Sequence, residues 1–155
     1  MKNKEYLMRK ANLADARDIQ SLIRENAKKS LMLQRSLHEL YENVRDFWIV
    51  EDNGALAGCG ALHPLWEDMA EIKSLAVRED YRKKGLGRKL VEACLSECLE
   101  LGVNKVFALT FVPDFFVKLG FEPGKKESMP HKIWSECIKC PHFPDCDEEL
   151  LVRNL

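Results

Sequence analysis

Between Asn12 and Lys29 apolar residues recur at Ile19, Leu22, Ile23 and Ala27, with charged and polar residues between them. That spacing lays one apolar stripe along a helix and leaves the rest of its surface to water. Asn12 followed by Asp15 has the form of a capping box, with the shorter acid in place of Glu, so the helix is predicted to begin there and run to about Lys29. Ser36 can cap a second, shorter helix over "LHELYENV". Ahead of both, "EYLMRKA" reads as a short strand.

From Phe47 the period changes. "FWIVED", "ALAGCGALHPL" and "MAEIKSLAV" are β-prone runs, the first two separated by the turn "DNG", and three successive antiparallel strands are the simplest arrangement. Helical spacing returns at Leu86, continues through Leu90, Val91, Cys94, Leu95, Cys98 and Leu101, and ends at Gly102 in the C′ position. "NKVFALTFV" reads as a buried strand and "PDFFVKL" as a short helix with Pro at its start. "GFEPGKK" and "HKIWSECI" read as a closing strand pair. The predicted order is β-αα-βββ-α-β-α-ββ, an α+β arrangement. No repeat, low-complexity tract or Pro/Gly/Ser linker interrupts it, which predicts a single domain over residues 1–155 with a Cys-containing C-terminal tail from about residue 137.

Composition adds little beyond exclusions. Hydrophobic residues at 46% and charged residues at 32% describe a globular chain, and a net charge of -1 excludes a broad electrostatic attraction to nucleic acid or an anionic membrane. No apolar run is long enough to cross a bilayer, and the lysines of "MKNKEYLMRKANLADARD" have no apolar h-region behind them. A cytoplasmic location is therefore expected, with the cysteines read as thiols or ligands rather than disulfides.

Charge matters locally. Arg82, Lys83, Lys84, Arg88 and Lys89 place five positive charges within eight residues, inside "VREDYRKKGLGRKLVEACLSECLELG", where a strand hands over to a helix. A strand, a glycine-bearing turn and a helix start aim backbone N–H groups at one point, where the macrodipole also favours negative charge. Gly85 and Gly87 lack Cβ atoms, so a phosphate can approach the main chain, and Arg82 and Arg88 can add charge-assisted bonds. The bland alternatives are a solvated charge run and two glycines that only permit a tight turn. The pattern is neither the dinucleotide fingerprint nor a P-loop, whose Gly-Lys-Ser/Thr ending is missing.

Arg82-x-x-Gly85-x-Gly87 closely resembles the pyrophosphate loop of the GCN5-related N-acetyltransferases (GNAT), which follows a strand ending like "LAV". "FFVKLGF" is similar to that family's Phe-Tyr-x-Lys-x-Gly-Phe element at the expected distance downstream, and the order of elements agrees. The resemblance implies a mixed sheet of about seven strands with about four helices and a V-shaped split between the fourth and fifth strands. It also implies acetyl-CoA as co-substrate, with Leu75, Ala76 and Val77 facing the pantetheine arm. Arg82, Lys83, Lys84, Gly85, Leu86, Gly87 and Arg88 would hold the phosphates. Direct attack on the thioester needs a neutral amine, and Glu71, in "AEIKSLAV", stands where such enzymes place a general-base glutamate. Strand alternation puts Lys73 on its face, so a plain ion pair between the two is the alternative. Phe116 occupies the position of the Tyr that many relatives use to protonate the leaving thiolate, which leaves the acid role unassigned.

"MLQRS", "EIKSLAV", "ALTFVPDFFVKLGF" and "MPHKIW" together resemble the short stand-alone amino-acid N-acetyltransferases related to N-acetylglutamate synthase, which lack the kinase-like domain of longer forms. That implies L-glutamate as acceptor, in arginine biosynthesis, and leaves a homodimer open. Two carboxylates need fixed cations, for which Arg35 and Lys73 are the candidates and Lys132 a weaker third; the alternatives are an exposed helix-flanking charge at Arg35 and a surface strand residue at Lys132. The alternatives are another amine as acceptor, or a module that binds acyl-CoA or senses metal without catalysis.

Cys94 and Cys98 fall on the apolar stripe and Cys59 between glycines, so all read as packed thiols. Cys137-x-x-Cys140, Cys146 and His142 could form a Cys₃His zinc site, but the spacing matches no standard finger and no metal is predicted; loop packing or a redox-sensitive pair are the alternatives. His38, His63 and His131 have no partner visible in sequence and are given no role.

Overall fold

The computed structural model of the chain describes residues 6–29, 34–125 and 149–155. Its elements are β1 (Leu7–Lys10), α1 (Ala16–Lys28), α2 (Leu37–Glu42), β2 (Phe47–Asp52), β3 (Ala55–Trp66) and β4 (Met69–Val77), then α3 (Leu86–Leu101), β5 (Lys105–Thr110), α4 (Pro113–Val117), β6 (Glu122–Pro123) and β7 (Glu149–Asn154). The strands form a mixed seven-stranded sheet in the order β1-β2-β3-β4-β5-β7-β6, and the succession of elements is the predicted one. The described residues divide into two compact units. One takes those up to His63 together with Ile72–Glu97, the other Pro64–Glu71 and those from Cys98 onward.

In the first unit the two faces of the sheet are sorted by strand alternation. Phe47, Ile49, Cys59 and Ala61 face the stripe of α1 and α2, where Ala16, Ile19, Ile23 and Leu40 close one core. Trp48, Val50, Leu75 and Val77 turn to the other face and meet Leu86 and Leu90 of α3, joined by Ala57, which the register shift opposite Val50 and Glu51 brings to that side against the alternation. The Asn12 capping box forms as the spacing predicts: Asn12 accepts from the Ala14 N–H at 3.0 Å, and Asp15 accepts from the Asn12 N–H at 2.7 Å. A single 3₁₀ turn precedes α1, so the α-helix proper starts at Ala16. Ser36 caps α2 through the Glu39 N–H at 3.1 Å. Asn53 and Gly54 both take left-handed φ, 49° and 84°, the conformation a two-residue hairpin turn requires.

The second unit is built on β7, which pairs antiparallel with β5 on one side and β6 on the other. Phe107, Leu109, Leu150 and Val152 form its core with Leu65 and Met69. Phe116 of α4 meets Phe115 and Phe121 edge-on, with ring centroids 5.1 and 5.2 Å apart. The Arg153 guanidinium donates to the Leu119 carbonyl and closes the C-terminus of α4.

Three details depart from the sequence reading. Leu101 is exposed, because the stripe of α3 drifts around the helix over four turns and its last residue leaves the buried side. The strand paired with "GFEPGKK" is Glu149–Asn154, within the stretch read as tail, where adjacent Leu150 and Leu151 are both buried because each face of this strand is covered. "HKIWSECI" lies outside the described residues. Ser74, inside β4, has a left-handed φ of 55°, which breaks the alternation. Such a non-glycine residue costs on the order of 1 kcal/mol or more and persists where its surroundings impose it.

Candidate functional site

β4, the turn that follows it and the start of α3 carry most of the sequence-predicted residues. Lys83 and Gly85 take left-handed φ of 63° and 78°. The Lys89 N–H donates to the Gly85 carbonyl at 3.1 Å as the first bond of α3, so the N–H groups of Leu86, Gly87 and Arg88 precede the helix's own ladder. A Cβ on Gly85 would meet nothing within 4 Å, so this bend is open on that side. Successive N–H groups in a left-handed turn before a helix make an anion-binding concavity. Gly87 lies in the first turn of α3, half-buried.

The basic side chains divide. Lys83, Lys84 and Arg88 are exposed; Lys84 Nζ lies 5.6 Å from the centroid of the Tyr81 ring, and Arg88 pairs with Glu92 along α3 at 2.9 Å. Arg82 turns inward, donating from Nε to the Val77 carbonyl at 3.3 Å and from Nη2 to Asn26 Oδ1 at 2.9 Å. The neighbouring Tyr81 hydroxyl donates to Asp52 Oδ2 at 2.6 Å, and Glu79 bonds Lys29 at 2.5 Å. The Lys29 ammonium holds the Glu79 carboxyl below its ordinary range. The turn is thus fastened to α1 and to the β2–β3 hairpin by three side-chain contacts.

Higher on β4, Leu75 and Val77 are half-buried, facing α3, and Ala76 is buried on the opposite face. Glu71 is only 4% exposed, and Lys73, two residues on, is half-buried. Arg35 precedes α2. Its Nη1 reaches Glu39 at 3.7 Å, while its Nε is buried with no hydrogen-bond partner among the described residues. Phe116, in place of the family's Tyr, is buried in aromatic packing and offers no proton. Lys132, His131, Cys137, Cys140, Cys146 and His142 lie outside the described residues. Among the described residues no group of His, Cys, Asp and Glu is arranged to hold a metal, and no helix is long and apolar enough to cross a membrane.

Sequence reading missed several contributors. Asn26 sits on the buried stripe of α1 beside Ile19, Leu22 and Ile23, and a polar residue at that position was the available signal. Asp52 is buried at the end of β2, where a carboxylate needs a partner. His63 is not alone: its Nδ1 lies 2.5 Å from Asp46 Oδ2, a pair made by two segments remote in sequence.

Comparison with known proteins bears on the family and the fold. The model of the acetyltransferase (GNAT) family matches residues 13–121. An uncharacterized N-acetyltransferase of Chlorobaculum tepidum is 41% identical over 148 residues, 96% of this chain and 96% of its own length. An amino-acid acetyltransferase of Mycobacterium tuberculosis is 37% identical over 136 residues, 86% of this chain and 78% of its own. Among solved structures, N-acetylglutamate synthase from Neisseria gonorrhoeae, complexed with coenzyme A and N-acetyl-glutamate, superposes with a TM-score of 0.90 at 27% identity. The superposition covers 99% of this chain and 36% of that longer one. With the glycine turn, the order of elements and the family match in agreement, this chain belongs to the acetyltransferase (GNAT) family.

Proposed function

We propose that the protein transfers acetyl from acetyl-CoA directly to the α-amino group of an amino acid, and that the amino acid is L-glutamate. The observation that carries the donor side is the continuity of β4, its turn and α3. One strand carries a buried carboxylate at Glu71 and then the segment Leu75 to Val77, and the next turn opens the N–H groups of Leu86, Gly87 and Arg88 to an anion. In this reading the diphosphate of CoA lies at that turn and its pantetheine arm runs along residues 75–77. Glu71, directly or through water, takes the proton that the amine must lose in attacking the thioester. The tetrahedral intermediate then collapses to the amide and the CoA thiolate. With Phe116 unable to donate, another group or water supplies the proton, or the thiolate leaves unprotonated, which its low basicity permits.

The acceptor assignment is supported by Arg35, whose buried Nε has no hydrogen-bond partner among the described residues and would be met by a carboxylate, and by Lys73 beside the proposed base. The name of the M. tuberculosis relative and the N-acetyl-glutamate in the Neisseria structure point the same way. A thiol-release assay with acetyl-CoA and a panel of amines tests it. L-Glutamate is expected to be the preferred acceptor, ahead of other amino acids. Preference for a cationic amine such as a polyamine would overturn the assignment of the acceptor while leaving the acetyltransferase standing.

A further inference from the structure

The kink at Ser74 poses a local problem that β3 solves with one side chain. A left-handed residue inside a strand takes nearby main-chain groups out of the ladder, and in a buried sheet each needs another partner. Cys59 faces the kink from β3. Its thiol donates to the Ser74 carbonyl, with sulfur and oxygen 3.5 Å apart, and its sulfur accepts from the Ala76 N–H. Just beyond the strand, the Arg78 N–H donates to the Ala57 carbonyl at 2.8 Å.

The glycines on either side of Cys59 are shaped to the same kink. A Cβ on Gly60 would lie 3.0 Å from Leu75 Cδ1, and one on Gly58 would lie 3.1 Å from the Ala76 carbonyl oxygen and 3.2 Å from Leu90 Cδ1. Gly58-Cys59-Gly60 therefore admits the displaced strand on one face and bonds to its main chain from the other. Burial pushes the thiol up to about 12, so it keeps its proton, and its role as donor, at physiological pH.

Resting on the reading proposed above, we propose that Cys59 is a positioning residue for acetyl-CoA: its thiol fixes the direction in which residues 75–77 leave the kink. The Ser74 carbonyl, the Ala76 N–H and the Arg78 N–H all point toward β3. By alternation, the peptide groups of Leu75 and Val77 then point to the opposite edge of β4, the edge assigned to the pantetheine arm. Without the thiol, the kink loses the contact that aims those groups, while the phosphate turn keeps its own fastenings at Arg82, Tyr81 and Glu79.

The test compares wild type with Cys59→Ala and Cys59→Ser in the full chain. It measures steady-state kinetics, and binding of acetyl-CoA and of adenosine 3′,5′-bisphosphate, a probe that has the nucleotide but no pantetheine. For Cys59→Ala, KM for acetyl-CoA should rise about tenfold with kcat within about twofold of wild type, as expected when a buried main-chain partner is removed. Affinity for the bisphosphate should not change. Cys59→Ser, which keeps a donor and an acceptor on a shorter bond, should recover part of the loss, and it decides the matter alone if the alanine variant does not fold. An unchanged KM in the folded variants overturns the proposal. So does a parallel loss of both ligands, which is what general loosening of the unit would give. If wild type itself fails to bind acetyl-CoA, the functional reading falls and this inference with it.

Discussion

The guanidinium of Arg82 donates to the side-chain oxygen of Asn26 at 2.9 Å, tying the first residue of the glycine turn to the buried face of α1. Its Nε, on the Val77 carbonyl, ties the same turn to the end of β4. Arg82 is thereby a brace of the turn, and in the proposed reading its charge acts on the diphosphate from behind the main chain. Asn26→Ala should remove that brace without touching a ligand. The expected result is a loss of about 1 kcal/mol in urea unfolding, since a half-buried donor loses its partner, with KM for acetyl-CoA raised several-fold and kcat nearly constant. Asn26→Asp, which keeps the acceptor, should remain close to wild type in KM.

Gly85 and Gly54 provide a matched pair for separating backbone strain from ligand access. Both have left-handed φ, 78° and 84°, and neither would place a Cβ within 4 Å of another atom. Alanine at either site should therefore cost a similar amount of stability, about 1 kcal/mol. If the diphosphate of CoA approaches the N–H groups of Leu86 and Gly87 as proposed, only Gly85→Ala should impair the enzyme, because its new methyl stands in that path. Thermal unfolding of both variants with KM for acetyl-CoA distinguishes the two effects; equal KM values would remove the turn from the CoA site.

The local rules of capping, turns and periodicity made much of the fold readable. The Asn12 box, the Asn53–Gly54 turn and the end of α3 at Gly102, with its φ of 82°, each depend on residues adjacent in sequence. What stayed hidden depends on partners far apart along the chain. Asn26 and Arg82 are separated by 56 positions, and Asp52 and Tyr81 by 29, so neither pair leaves a pattern in either segment. The kink at Ser74 was hidden for a different reason: serine has no special tendency toward left-handed φ, and the side chain that bonds its carbonyl, Cys59, comes from across the sheet. β7 was missed because two consecutive buried leucines do not alternate.

Asp15 sets the acid limit of the α1 start. Arg9 donates to both of its oxygens, at 2.8 and 2.9 Å, and this contact with the Arg9 guanidinium holds the Asp15 carboxyl below its ordinary 3.8. A depressed folded-state value means that the stabilisation is fully present above the unfolded value and is lost as pH falls from about 3.8 through the lower folded one. Asp15→Asn, which also loses the charged half of the capping box, should be about 1–2 kcal/mol less stable at neutral pH. That difference should shrink as denaturant titrations are repeated at progressively lower pH below 3.8. A difference that is constant with pH would mean that the ion pair contributes nothing.

For Glu71, the base role predicts a change in kcat and not in donor binding. Glu71→Gln keeps the shape of a buried side chain but cannot accept the amine's proton, so kcat should fall by about 10²–10⁴-fold with KM for acetyl-CoA little altered. The residual rate should rise with pH as the free amine becomes available unaided, where wild type has already reached its plateau. A variant with full turnover across the pH range would show that the proton leaves by another route.

Arg35 separates an acceptor-binding role from a structural one by the sign of the stability change. Its Nε is a buried donor lacking a partner among the described residues, and its contact with Glu39 is long, at 3.7 Å. A residue kept for stability should not leave a donor unmet, so Arg35→Met should hold or raise the melting temperature of the free protein. If the donor is reserved for a carboxylate of the acceptor, the same variant should raise KM for L-glutamate by about tenfold or more while leaving KM for acetyl-CoA unchanged. Arg35→Lys should rescue little, since an ammonium cannot reproduce the planar two-pronged geometry. A destabilised Arg35→Met protein with normal KM for glutamate would make Arg35 a structural residue and move the search for the carboxylate's partner elsewhere.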